Sequence, residues 1–420
     1  MLTENTNTDD SILYRLIPII GFLGVFVYIL SMSMPAWLNV ALVFASLSGI
    51  TVAVLGDCNR FSLKLPLVLP VVIFILLGFL SILMSIDLKT SLAPTLTLIP
   101  AILIYFLIVE LFNINHVKWL YLTFSIVAII ISIILLIVFF KSTGHSRFGW
   151  IAEAKHPLLV VPNDLIVLSL IAPLSFSLLY QKPISIMGIL AFISLLLSLS
   201  VVVLFQSRGA VLTLLFSVGC AAILLWPKRL KALAILIVLA ILVVSIVILI
   251  DYTQNFILYK RVTNDSLNRI QLWLLAWAMF LDAPLLGHGI HTFGLLFKTY
   301  CQTLNIHPNP PAPWAHNLYL DTLAGQGIVG LASLVTVLLN SLWRSWQTRK
   351  AKSKDVGILS MGALAAMLGF CFAAIFEISF IRYWSVTIFF SLLGIITVLY
   401  FLGYIGSHDS VDNNLEKGII

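Results

Sequence analysis

Apolar runs of roughly membrane-crossing length recur along this chain, and nothing constrains its fold more. A helix needs about 20 apolar residues to cross a bilayer. Runs of that order lie near 13–33, 36–56, 65–86, 92–112, 119–140, 164–181, 184–205, 210–226 and 232–251, with three more near 317–343, 356–379 and 384–404. In hydrocarbon every backbone N–H and C=O must be satisfied within the segment, so such runs are helical. The expected fold is an all-α integral membrane protein of about 12 transmembrane helices, with both termini on one side. Composition agrees, since 61% of residues are apolar and 10% charged, against about 45–50% and 25% in soluble domains.

Lys and Arg set the orientation. Counted alternately, one set of loops holds Arg60 and Lys64, Lys118, Lys182, PKRLK (227–231) and RSWQTRKAKSK (344–354). The positive-inside rule makes these cytoplasmic, so 141–163 and the long interval 252–316 face outward. The net charge of +7 then reads as topology and contact with anionic lipid heads, and nucleic acid is not an expected partner. Four scattered cysteines (Cys58, Cys220, Cys301, Cys371) imply neither a disulfide framework nor a zinc site.

Four regions follow. Residues 1–251 form an N-terminal transmembrane region of about nine helices, residues 252–316 an outer loop, residues 317–404 the C-terminal transmembrane helices, and residues 405–420 a cytoplasmic tail. Within the outer loop, 267–283 has an uninterrupted apolar core only from Leu272 to Leu281, the length of an interfacial helix. As a span it would strand a strongly basic loop outside.

The outer loop also concentrates candidate chemistry. It carries His288, His291, His307 and His316. His316 differs because it follows PPAPWA and immediately precedes a span, where an outer vestibule meets the bilayer and partial burial can tune an imidazole. Asn317 is either an N-cap or a residue orienting that imidazole or a sugar. Arg208 sits in QSRGA, in a connection too tight to be an ordinary solvated loop; it is either a snorkelling residue or a planar fork for phosphate. Arg269 opens the interfacial helix with Trp273 and Trp277 at i+4 and i+8, as an aromatic belt, as a phosphate and lipid-tail site, or as both. Arg147 in HSRFGW and Arg382 in IRYW are further outer cations. Asp321 and Glu377 lie within a turn of the outward ends of their spans, placed to line a cavity beside the loop or to reach back to the headgroups.

QSRGA, the run NRIQLWLLAWAMFLDAPLLGHGIHTFG and the closing HN followed by GIVG together resemble the O-antigen ligase and polymerase superfamily. The resemblance implies a GT-C-like, metal-independent glycosyltransferase without cofactor. It would use an undecaprenyl-pyrophosphate-linked glycan at the periplasmic face of the bacterial inner membrane. In the ligase branch, which the layout favours, the acceptor is a sugar of the lipid A core in lipopolysaccharide biosynthesis. By motif match His316 activates or orients the acceptor hydroxyl and Arg208 and Arg269 hold the pyrophosphate, with Arg147, Arg382, Asn317 and Trp273 assisting. Outside the N-terminal tail there is no DxD-like acidic pair for a metal. A protonated His316 that steadies the leaving phosphate is the other role open to it. The alternatives are a polysaccharide polymerase with a lipid-linked acceptor, a protein O-glycosyltransferase, which the short tail after Gly403 argues against, and a twelve-span transporter.

Overall fold

The computed structural model describes residues 8–33, 38–56, 65–96, 98–141, 151–152, 154, 159, 161–226, 257–308, 312–378 and 380–405. Helices α1 (Thr8–Leu30), α2 (Leu38–Leu55), α3 (Val68–Leu83), α4 (Leu88–Leu96), α5 (Leu98–Leu111) and α6 (Ile114–Lys141) build the first part. A 3-10 turn (Pro162–Leu165) leads into α7 (Ile166–Gln181), followed by α8 (Ile186–Leu204) and α9 (Arg208–Leu225). After the outer interval come α10 (Ile257–Asp282), α11 (Phe293–Leu304), α12 (Leu318–Thr348), α13 (Lys354–Ala373) and α14 (Tyr383–Tyr400).

The chain is an all-α integral membrane protein. Among the described residues seven helices are long and apolar enough to cross a membrane, and four shorter apolar helices lie at Leu16–Leu30, Asn39–Leu55, Val68–Leu83 and Leu98–Leu111. Each coincides with one of the apolar runs expected above, while the run 232–251 lies outside the described residues. Helix α7 is the hub, packed against α6, α8, α9 and α13. Small residues permit that approach: a Cβ on Gly362 of α13 would meet Ser177 of α7, and one on Gly369 would meet Ser217 of α9.

The basic loops at Lys118, Lys182 and 344–354 collect at one end, while Arg60, Lys64 and PKRLK lie outside the described residues. Lys118 Nζ pairs with Asp355 Oδ2 at 2.6 Å, Lys182 acts on the same carboxylate, and Arg344 lies over the Tyr400 ring at 5.1 Å. Helix α13 has 20 residues, about 30 Å at 1.5 Å per residue, and begins beside Asp355 of that pair. Its other end, which leads to Glu377, is therefore separated from this basic end by the thickness of the hydrocarbon core, ~30 Å.

Two features of the outer interval differ from expectation. The amphipathic helix is longer than 267–283, running from Ile257, and a further helix, α11, follows it. Helix α10 buries Leu272, Leu275, Ala276 and Met279 yet exposes Leu267, Ile270, Leu274, Trp277 and Leu281 on another face. An apolar stripe left outward on a helix already packed along its opposite side is what lipid contact requires.

Helix α12 is broken in its first third. Gly327 has φ 63 and ψ −165 inside it, and the loop after α10 fills the gap. His288 N donates to Ala324 O at 3.1 Å and Gly289 N to Gly325 O at 2.8 Å, while Ile328 N donates to Pro284 O at 2.9 Å and Val329 N to Leu285 O at 3.4 Å. The break frees donors and acceptors at membrane depth, where they must find partners in protein. The loop supplies both, and Ser81 Oγ adds a bond to Gly325 O at 3.2 Å. The glycines of PLLGHG and GQGIVG are thus the two faces of one contact: a Cβ on Gly287 would strike Gly325, and one on Gly327 would strike the Leu285 carbonyl.

Candidate functional site at the end opposite the basic loops

Glu377 closes the site. It follows α13 and is 4% exposed as a side chain, with Arg269 NH2 at 2.8 Å from its Oε2. Asn163 Nδ2 donates to the same oxygen at 2.7 Å, and His316 Nδ1 stands 3.2 Å from Oε1. A buried carboxylate is tolerable when paired and hydrogen-bonded, and this one draws partners from α10, the turn before α7 and the entry to α12.

The partners continue into a ring of contacts. The Trp314 ring lies 4.8 Å from that of His316, with the Arg382 guanidinium 4.7 Å from its centroid. Arg382 Nε is 3.4 Å from Asp164 Oδ1, although its alignment falls short of a hydrogen bond. Trp384 Nε1 donates to that oxygen at 3.0 Å, and Asp164 adjoins Asn163. Three segments far apart in sequence, 163–164, 314–316 and 377–384, are thereby fixed to one another. Trp314 is held between Arg382 and His316, so it serves as a spacer rather than an open platform for a sugar ring.

His316 itself is strained. Its φ of 51 lies in the left-handed region, costing on the order of 1–2 kcal/mol for a residue other than glycine. Neighbouring bonds hold it there: Ala315 N donates to Asp321 Oδ1 at 3.4 Å, and Leu318 N to Ala374 O at 2.8 Å. Asp321 therefore buttresses the turn. Asn317 is the N-cap of α12, its side chain accepting from Leu320 N at 3.0 Å. Asn317→Ala should lower the stability of the purified protein by about 1 kcal/mol, whereas Asn317→Ser should retain most of it, as read from thermal unfolding midpoints in detergent. Equal midpoints for the two variants would remove the capping role.

The other outer histidines separate cleanly from His316. His288 Nε2 lies 2.9 Å from Met279 O and latches the loop, next to Tyr300, whose hydroxyl is pushed up to about 12 by burial and by Asp282. Burial pushes the His291 imidazole down to about 4, and its Nε2 is enclosed without a partner. His307 is exposed.

The remaining candidates fall into place unevenly. Arg208 opens α9, which packs on the turn carrying Asn163 and Asp164. A Cβ on the adjacent Gly209 would come within 3.2 Å of Phe376, the residue before Glu377. Arg208 thus flanks the site at a helix N-terminus, where a bound anion is favoured. Trp273 is partly buried, with its Nε1 enclosed and unpartnered, while Trp277 is 47% exposed, so the two do not form one outward face. Arg147 lies outside the described residues. Sequence reasoning did not single out Asn163 or Trp314, and it placed Glu377 beside the loop without its partners.

Residues 193–335 match a family model described as O-antigen ligase. Over that stretch the chain is similar to O-antigen ligases. The similarity supports a relationship to the O-antigen ligase and polymerase superfamily, and among curated proteins none matches the chain. The O-antigen ligase match takes in Arg208, Arg269, Trp273, His316, Asn317 and the broken start of α12, whereas Asn163, Asp164, Glu377 and Arg382 lie beyond it. Among the described residues no group of three or more His, Cys, Asp or Glu is arranged to hold a metal ion.

Proposed function

We propose that the protein is an O-antigen ligase that moves a glycan from undecaprenyl pyrophosphate to a sugar of the lipid A core, in lipopolysaccharide biosynthesis. The observation that carries this reading is the sharing of one buried carboxylate by His316 and Arg269, which sets a base beside a cation. Because Nδ1 of His316 faces Glu377, Nε2 is the nitrogen left for the acceptor hydroxyl. That nitrogen takes the hydroxyl proton as the oxygen attacks the anomeric carbon. The bond from that carbon to the phosphate oxygen breaks, and the diphosphate leaves with the electron pair. Its developing charge is met by the guanidinium of Arg269, with Arg208 and Arg382 flanking. Arg147, Asn317 and Trp273 are assigned to the surrounding substrate surface.

The membrane setting fits these substrates. The site lies at the end away from the basic loops, which the positive-inside rule assigns to the periplasmic face of the inner membrane. The outward apolar stripe of α10 meets lipid, where both a polyprenyl carrier and lipid A reside.

The test is transfer by purified protein from undecaprenyl-pyrophosphate-linked glycan, with lipid A core or a second lipid-linked glycan offered as acceptor. Glycan on lipid A core supports the ligase. Chain growth on the polyprenyl carrier makes the protein a polymerase, and transfer to neither returns the reading to a transporter. Arginines acting alone on the diphosphate predict that the rate in excess chelator stays within about twofold of that with added magnesium, since no divalent ion is then part of the clamp. Complete loss in chelator would overturn that account.

A further inference from the structure

We infer that Glu377 is a positioning residue that exchanges partners when donor binds, arming His316 as it releases Arg269. The inference rests on the ligase reading above for the identity of the two substrates. Its physical basis is the unequal freedom of the groups around one carboxylate. Asn163 sits in a 3-10 turn immediately before the hub helix α7, bonded at 2.7 Å. His316 is fixed by the backbone bonds of Ala315 and Leu318 on either side and by Trp314 against its ring. Arg269 reaches in from α10, a helix whose outer face is open, and is the most exposed of the measured partners at 29%, against 22% for His316. Arg269 is the partner able to turn away.

A diphosphate gives it reason to do so. Phosphate oxygens match the guanidinium fork in bidentate fashion, whereas Glu377 takes a single nitrogen of Arg269, NH2, at 2.8 Å. As Arg269 moves to the diphosphate, Asn163 and His316 remain to satisfy the carboxylate. The negative charge of Glu377, until then shared with a guanidinium, falls on His316. It stabilises the imidazolium that forms as Nε2 takes the acceptor proton, the service a buried carboxylate performs for the histidine of a hydrolase triad. Oε1 meanwhile keeps Nδ1 engaged and the ring oriented. Donor binding and base activation are thereby coupled through one residue, and the acceptor proton is drawn off only when a donor is present for the oxygen to attack.

The experiment uses full-length protein in detergent, with undecaprenyl pyrophosphate as the binding probe and the transfer assay as the second readout. Glu377→Gln removes the charge but keeps a carbonyl for Nδ1. It should bind undecaprenyl pyrophosphate as tightly as the unaltered protein or up to about tenfold more tightly, because Arg269 is already free, while the rate at saturating donor falls about 100-fold. Glu377→Asp should recover part of that rate. Adding Glu377→Gln to His316→Ala should slow the enzyme no further than His316→Ala alone, since residues acting as a unit are not additive. Binding weakened tenfold with the rate within threefold, or a fully multiplicative double variant, would overturn the proposal. Should Glu377→Gln prove too unstable to bind the probe, Glu377→Asp is read by the same two criteria. A wild-type protein that transfers to neither acceptor defeats the ligase reading instead. The binding comparison still decides the exchange in that case, with unchanged or tighter binding supporting it and weaker binding overturning it.

Discussion

His316→Ala is expected to lower the transfer rate about a thousandfold while binding of the lipid pyrophosphate stays within about threefold. A positioned base contributes about 10²–10⁴ to rate, and the imidazole also sets the direction from which the acceptor oxygen approaches. Donor binding should survive because Arg269 reaches in from α10 independently of the ring and Asn163 still donates to Glu377 once the guanidinium turns to the diphosphate. Alanine at φ 51 carries its own backbone strain, so His316→Asn is the companion variant. Asparagine tolerates left-handed backbone and offers no base. Initial rates over both substrate concentrations separate the effects: a fall in kcat with donor KM preserved identifies the base, whereas intact kcat with raised acceptor KM reduces His316 to an orienting group. A rate within tenfold in both variants would take proton transfer away from this residue.

How much of this was readable beforehand follows from which interactions are local. The spans were legible because lipid enforces one rule on every segment, and the apolar runs coincide with the helices found. The position of His316 just before α12 was legible for a similar reason, since a residue immediately before a span must lie near the bilayer boundary. The shortfall of 267–283 as a span was visible in its ten-residue apolar core from Leu272 to Leu281, but the start of the helix at Ile257 was not, because polar turns leave no hydropathic signal. Glu377 shows the limit most clearly. Its position within a turn of the outward end marked it as a cavity residue, yet its partners lie 61, 108 and 214 residues away in sequence, and no spacing rule joins them. Trp314 escaped notice for the same reason. The glycines of PLLGHG and GQGIVG were seen as motif members, while their purpose required both strands of the contact. Neither strand alone announces that one chain segment will complete the hydrogen bonding of another.

That contact supports the largest stability effect expected here. Gly327→Val should prevent the purified protein from accumulating in a monodisperse form, or lower its stability by more than about 4 kcal/mol. A β-branched residue at φ 63 is a genuine backbone outlier, and its Cβ would also strike the Leu285 carbonyl. Relief of either problem pushes the loop off α12, stranding the four backbone bonds that bridge the break. Each buried group left unpaired costs about 1–3 kcal/mol, and in the membrane interior water is not there to replace the loop. Gly78→Ala is the control. Within α3 a Cβ at Gly78 meets nothing within 4 Å, so that change should be neutral or stabilising by up to about 1 kcal/mol. Monodispersity and thermal midpoint in detergent read both variants, and a Gly327→Val protein with an unchanged midpoint would mean that the loop does not hold the break open. The effect reaches the chemistry as well, because the displaced loop is the tether between α12, which begins beside His316, and α10, which carries Arg269. Any Gly327→Val protein that survives should therefore bind the lipid pyrophosphate more weakly, whereas Gly78→Ala should not.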